Sequence, residues 1–423
     1  MSTSAENMTD RFVGPRRFFV YGIFLSRTGS AMAMLATSYV IYDQTQSVVA
    51  TALIPACACL PAVLLLGAAN SIAGRWNEAQ VFVWAGTVIG ALGVIPVVFS
   101  ATGHLAPENL LLWLVALGIV SGLSAPAPSM VTRALAPPGE MPEFNARLGR
   151  ARALGIVSGL ILGGVIYDVI GPTWVFAFNA VSCVFPVLAV IPLVRLARIP
   201  RVHLNLRTAW AARKGQPGLR AVFAAAIALF LGGSFRVTLP ALSQQVGSSA
   251  SILSAMNVAS VIGGLFIVVA VRRLHRRVPW GSVQRACVLT IVSGLVGLLF
   301  VTGFNNTTRL FAAALVIIVV IGYAQAIDTA VLASIVQLHA PQEARAAVLT
   351  WYHTVPMVVA PVGQLGVGVV ADKVSLAAAY GCCALVLAFC LLLGRHLGIR
   401  TAIDRLNDSD TPPDVVVAPP DSP

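Results

Sequence analysis

The chain has 423 residues, 57% hydrophobic and only 10% charged, with a mean hydropathy of +0.85. Soluble domains carry roughly 25% charged residues. This chain therefore has too little polar surface to cover a water-soluble body, and lipid must solvate it. Its net charge of +12 raises nucleic acid as a partner, but the positions of the charges argue against that.

A bilayer-crossing helix needs about 20 apolar residues. Twelve runs approach that length, at about 18–41, 47–69, 81–101, 109–132, 153–170, 173–194, 219–241, 251–271, 284–303, 310–336, 346–370 and 375–394. The runs are continuous rather than alternating, which excludes barrel strands. In lipid a lone segment must satisfy its own backbone, so each run is predicted to be a helix. The first is too long for the apolar core of a signal peptide, and no small-residue cleavage site follows it.

Of the 28 Lys and Arg residues, Arg27 and Arg236 lie within runs, and only Arg309 and Lys373 fall on one of the two sides. All the others fall on the side that holds both termini. Basic loops stay cytoplasmic, so both termini are expected inside, in a plasma or inner membrane. The basic excess then faces anionic lipid headgroups rather than nucleic acid.

The organisation is two-fold. Residues 1–17 read as a cytoplasmic N-terminus and 18–194 as a first bundle of six helices. Residues 195–218 form a basic linker, and 219–394 a second bundle. The stretch 395–423 is an acidic, Pro-rich tail, expected to be largely disordered. A weak repeat supports the division: Gly159-x4-Gly164-x3-Asp168 recurs 204 residues later as Gly363-x4-Gly368-x3-Asp372. Each Asp marks the outer end of its helix, and glycines at such spacing let helices approach closely. The fold class is thus all-α integral membrane, twelve transmembrane helices in two pseudo-symmetric bundles of six.

The seven cysteines show no zinc-like spacing and read as packing residues. No metal or cofactor site is expected. Neither GxxxxGK[ST] nor HExxH occurs, so ATP is not expected to drive the protein, and an ion gradient, the proton first, is left.

Twelve helices with both ends inside and a long central loop resemble the major facilitator superfamily. That family carries Gly-x-x-x-Asp-Arg-x-x-Arg-Arg after its second helix. Here the stretch is NSIAGRWNEA. Arg75 matches the motif arginine, while Asn70, Gly74, Glu78 and Ala79 replace the other residues. The family's exporters also carry Gly-x-x-x-Gly-Pro-x-x-Gly-Gly in helix five, matched here by Gly155, Gly159, Gly163 and Gly164, with Leu160 in place of proline. With Pro126, Pro128 and FNAVS at Phe178–Ser182, this resembles the drug- and siderophore-exporter branch. The resemblance implies an exporter of a small amphipathic molecule, rocking two halves about a midplane site. A monomer suffices for that. Uptake by symport is the second reading. An intramembrane enzyme or receptor on the same scaffold is the third.

An arginine at mid-helix costs about 2.5–3.5 kcal/mol on insertion scales and usually faces a bundle interior or a wet cavity. Arg27 shares a helical face with Ser30, Ala31, Met34 and Ser38, and the family's helices one, four, seven and ten line the central path. In the tenth run, Gln325 and Asp328 share a face, and Asp328 is the one carboxylate well inside any run. Arg27 and Asp328 lie at similar depth, so the two are expected to approach each other. They form either a proton-coupling pair or a fixed structural ion pair. Arg236 contacts an anionic substrate group, closes the outer gate, or snorkels to outer headgroups. His353 opens a stripe with Met357, Ala360 and Gln364, and serves either proton handling or helix packing. Trp351 and Tyr352 read as interfacial anchors.

Overall fold

A computed structural model of the protein describes residues 13–65, 68–69, 77–136, 140–195, 217–265, 279–303, 307–339 and 345–396. The linker between the halves, the C-terminal tail and the loop that carries Arg75 lie outside the described residues, apart from their edges. The first bundle holds α1 (Val13–Thr45), α2 (Val48–Leu64), α3 (Glu78–Ala101), α4 (Pro107–Leu123) and α5 (Ala127–Leu135), then α6 (Met141–Ile170), α7 (Pro172–Ser182) and α8 (Val184–Val190). The second holds α9 (Pro217–Gly232), α10 (Leu239–Val246), α11 (Ala250–Leu265), α12 (Trp280–Val301), α13 (Thr307–His339), α14 (Arg345–Lys373) and α15 (Leu376–His396).

Among the described residues, nine segments are long and apolar enough to cross a bilayer alone. The pair α4–α5 forms another, bent by 53°. The shorter apolar helices Val48–Leu64 and Ala250–Ile262 complete the twelve. Large apolar side chains such as Leu112, Val169 and Trp174 are exposed on the outside, as a lipid-facing surface requires.

Breaks fall where proline or glycine interrupts the backbone ladder. The α4–α5 bend occurs at Pro126 and Pro128, and a missing N–H plus a ring clash explains it. The seventh span breaks after Gly232 into a 3₁₀ turn, Ser234–Thr238, before Pro240 restarts the helix as α10. The fifth span begins earlier than its apolar run, at Met141 rather than near 153. Its first turns carry Arg147, Arg150 and Arg152, which hydropathy alone assigns to a loop although they are helical.

Glycines set the closest helix approaches. A Cβ at Gly155 would stand 2.6 Å from the carbonyl oxygen of Phe24, and one at Gly163 would stand 3.0 Å from the Met32 Cα. Gly159 abuts the Thr28 carbonyl in the same way. These three seat α6 directly on the α1 backbone. The second bundle repeats the device: a Cβ at Gly363 of α14 would stand 2.7 Å from the Leu231 carbonyl oxygen of α9. All seven cysteines are free thiols, and Cys183, Cys287 and Cys383 are buried, in keeping with a packing role.

Gly363→Val should overpack the α9–α14 contact and cost about 1–3 kcal/mol. Gly366→Val, at a site with nothing within 4 Å, should leave stability near wild type. Thermal unfolding in detergent reads the difference; equal midpoints for the two variants would refute the close-packing account.

Candidate functional site

A cavity of about 390 Å³ lies between the two bundles, within the range of small-molecule sites. From α1, Arg27, Ser30, Met34 and Ser38 line it, so the stripe separated by helical periodicity faces one space. From the 3₁₀ turn in the seventh span comes Arg236, and from α14 comes Gln364. Apolar residues of α2, α6 and α11, such as Ile54, Leu160 and Leu253, complete the wall.

The two arginines reach the cavity from opposite bundles. Arg27 has Arg152 and Cys183 as its electrostatic neighbours, and among the described residues no carboxylate or carbonyl accepts a hydrogen bond from it. Arg236 donates from Nη2 to the Ser260 carbonyl at 3.0 Å. Its position in the cavity wall decides against snorkelling to headgroups. The Gln364 Oε1 is buried and, among the described residues, has no donor.

The cavity ends on one side in a two-fold latch, at the end of the bundles opposite the chain termini. Asp168, at the last turn of α6, accepts from Ser249 Oγ at 2.6 Å and from the Ala250 and Ser251 amides at 2.9 Å each. Those amides open α11, in the other bundle. Asp372, at the last turn of α14, accepts from Ser47 Oγ at 2.6 Å, the Val48 amide at 2.7 Å and the Val49 amide at 3.1 Å. Those amides open α2. Each carboxylate thus caps the positive N-terminus of a helix across the bundle boundary. Gly164 packs on α11 beside Ser254, and Gly368 on α2 beside Val49, which brings each Asp within reach. Further cross-bundle bonds lie near the same end: Gln244 Nε2 to Asp43 Oδ1 at 3.0 Å, Thr51 Oγ1 to the Val237 carbonyl at 3.2 Å, and Ser254 Oγ to the Leu160 carbonyl at 2.6 Å.

Asp328 lies elsewhere. It is fully buried on α13, and among the described residues neither carboxylate oxygen has a hydrogen-bond partner. Its electrostatic neighbours are Cys287 of α12 and Tyr352 of α14, both within its own bundle. The expected pairing of Arg27 and Asp328 is not present among the described residues: neither carboxylate oxygen has a partner, and Asp328 is not part of the cavity lining that holds Arg27. Among the described residues the ion pair present is Arg147–Glu143, at the exposed start of α6. Gln325 also stays inside its bundle, donating to the Gly233 carbonyl at 3.1 Å. Tyr352 is buried at 2% exposure, stacks edge-on against Phe223 and reaches the Thr329 carbonyl; it is a core residue and not an interfacial anchor. His353 is helical, and its side chain lies outside the described residues.

Sequence reasoning marked Asp168 and Asp372 as helix ends but did not find their partners. The available signal was the serine before each receiving helix, Ser47 and Ser249, since serine is a favoured N-cap.

Two helical bundles around a central cavity that is shut at one end are the architecture of a membrane transporter. Comparison with known families agrees: the Major Facilitator Superfamily profile matches residues 19–364. The chain belongs to that superfamily. No curated protein matches its sequence. Among solved structures it resembles the nucleoside transporter NupG, with a TM-score of 0.70 at 14% identity, covering 92% of this chain and 99% of that one. It also resembles a D-xylose–proton symporter (0.67, 14%, 89% and 96%). A bacterial homologue of the iron transporter ferroportin in an inward-facing state is a third (0.66, 12%, 93% and 99%). At such identities the likeness is one of fold.

Removing a latch carboxylate should open the closed end. Hydrogen bonds to charged groups contribute about 1.5–3 kcal/mol each, so Asp168→Ala or Asp372→Ala should shift the open-to-closed ratio at least about tenfold. Ser38→Cys in a background without the native cysteines, labelled by an impermeant thiol reagent from the latch side, measures this. Unchanged labelling in both variants would show that the carboxylates do not hold that end shut.

Proposed function

We propose that this chain is a proton-coupled exporter of a small amphipathic compound, such as a drug, an antibiotic or a siderophore, working by alternating access. The observation that carries the reading is the cavity shared by both bundles and closed at one end by reciprocal contacts between them. Such contacts must break and reform for the cavity to face each side in turn. With the basic loops and both termini in the cytoplasm of a plasma or inner membrane, the latched end is the outer one. The cavity then faces inward, ready to load from the cell. The two bundles correspond to residues 18–194 and 219–394, joined by the basic linker 195–218. A single chain contains both halves of the site, so a monomer is the working unit, and anionic headgroups meet its cytoplasmic face.

Coupling is assigned to Asp328. An acid buried without a donor or a counter-ion is a costly group to keep in a core. A proton carried there and released when the bundles rock gives that cost a purpose. Asp328 touches α12 and α14 rather than the cavity, so proton and substrate occupy separate places joined through α13. His353, three helical turns from Gln364 on α14, is the other candidate for handling the proton. The exporter direction rests on the glycines of α6, Gly155, Gly159, Gly163 and Gly164. Arg75 retains one position of the loop motif that gates the cytoplasmic side in the family. The structural likeness to a proton symporter favours uptake as the alternative reading.

The test is proton flux in proteoliposomes, wild type against Asp328→Asn, with a panel of amphipathic drugs and siderophores. Substrate-dependent proton movement is expected in the wild type and should vanish in the variant. The sign of movement under an imposed gradient separates export by exchange from uptake by symport. Transport with unchanged proton flux in Asp328→Asn would remove Asp328 from the coupling path.

A further inference from the structure

We propose that the substrate is a small organic anion, whose oxyanion head sits between Arg27 and Arg236 and whose apolar body fills the rest of the cavity. The inference rests on the transporter reading of the site and adds the chemical class of its cargo. Two arginines line one cavity inside a membrane protein, and among the described residues lining it there is no Asp or Glu. Among the described residues Arg27 has no hydrogen-bond or ion-pair partner, and Arg236 uses one N–H on a backbone carbonyl. Arg152 stands near Arg27 and adds positive charge on the same side. The buried acid that could have balanced them, Asp328, is absent from the cavity lining and has Cys287 and Tyr352 as its neighbours.

An arginine is costly at this depth, and two without a counter-charge in the cavity lining add their costs. A planar fork of N–H donors binds a carboxylate or phosphate bidentately. An anion therefore satisfies both guanidiniums at once, whereas a cation meets only like charge. Because Arg27 belongs to the first bundle and Arg236 to the second, the same anion bridges the halves. Binding then gives the two walls a shared partner, which links loading to closure. The remaining wall sets the body. Ile54, Leu160 and Leu253 provide apolar contact, and the unpartnered Gln364 Oε1 takes a donor such as a hydroxyl.

The test is calorimetric binding to the purified full-length protein in detergent with four matched probes: 1-naphthoate, 1-naphthyl phosphate, the neutral 1-naphthamide and the cationic 1-naphthylmethylamine. The two anions should bind, and at least about tenfold tighter than the amide or the amine. Arg27→Gln and Arg236→Gln should each weaken the anions by at least about tenfold, and the Lys variants by less. A measurement on the unsubstituted protein guards against misfolded variants. There, 1-naphthyl phosphate should slow phenylglyoxal modification of Arg27 and Arg236, read by peptide mass spectrometry, and leave exposed Arg147 unchanged. Equal binding of the amine or the amide, no binding by either anion, or binding indifferent to both arginines overturns the proposal. Anion binding without substrate-dependent proton flux in proteoliposomes leaves this site standing and removes the transport reading. Flux driven only by cationic compounds does the reverse.

Discussion

A carboxylate seated on the first amides of a helix from the opposite bundle is the contact on which this architecture turns. It occurs twice, at Asp168 on α11 and at Asp372 on α2, and each instance joins one bundle to the other. The interaction suits a moving part. It combines charge with directional donors, so it is strong when aligned, and it needs no matching apolar surface that would resist separation. Both carboxylates sit near the end of the bundles, where water can solvate them once the helices part. The glycines that let α6 and α14 lie flat on their neighbours also carry the aspartates into place.

The cavity and the buried acid divide the electrostatic work between them. Positive charge faces the cavity, and the buried acid is held apart from it, among Cys287 and Tyr352. An ion pair between Arg27 and Asp328 would have neutralised both and left the cavity with a single unbalanced arginine. Their separation keeps each group unbalanced. A group in that condition responds strongly to a ligand or a proton, because nothing else among the described residues satisfies it.

Much of the fold was legible in the sequence. Apolar length located the spans, and the offset between Gly159–Asp168 and Gly363–Asp372 pointed to the repeat that the structure realises as the latch. The stripe Arg27–Ser30–Met34–Ser38 was legible because helical periodicity fixes which residues share a face. Periodicity does not say which neighbour that face meets. Depth placed Asp328 level with Arg27, and only the structure shows that its neighbours are Cys287 of α12 and Tyr352 of α14. Tyr352 failed for the same reason, since an amphipathic ring near a helix end suits an interface and a core equally well. The extra turns of α6 before residue 153 escaped because hydropathy measures what lipid will accept and not what a helix can hold.

The serine hydroxyls of α1 decide something further. Ser30 donates its proton to the Ser26 carbonyl at 2.8 Å, and Ser38 donates to the Met34 carbonyl at 2.9 Å. With their hydrogens committed to their own helix, these groups offer the cavity lone pairs alone. The wall is thus sorted by polarity of function: the guanidiniums offer donors to a guest, and the serine oxygens and the Gln364 Oε1 offer acceptors. A guest that fits must have the complementary arrangement, rich in acceptors at its charged end and carrying its few donors along the flank that lies against α1. Its orientation in the cavity, and with it the end that leaves first, is written into which hydroxyls have already committed their hydrogens.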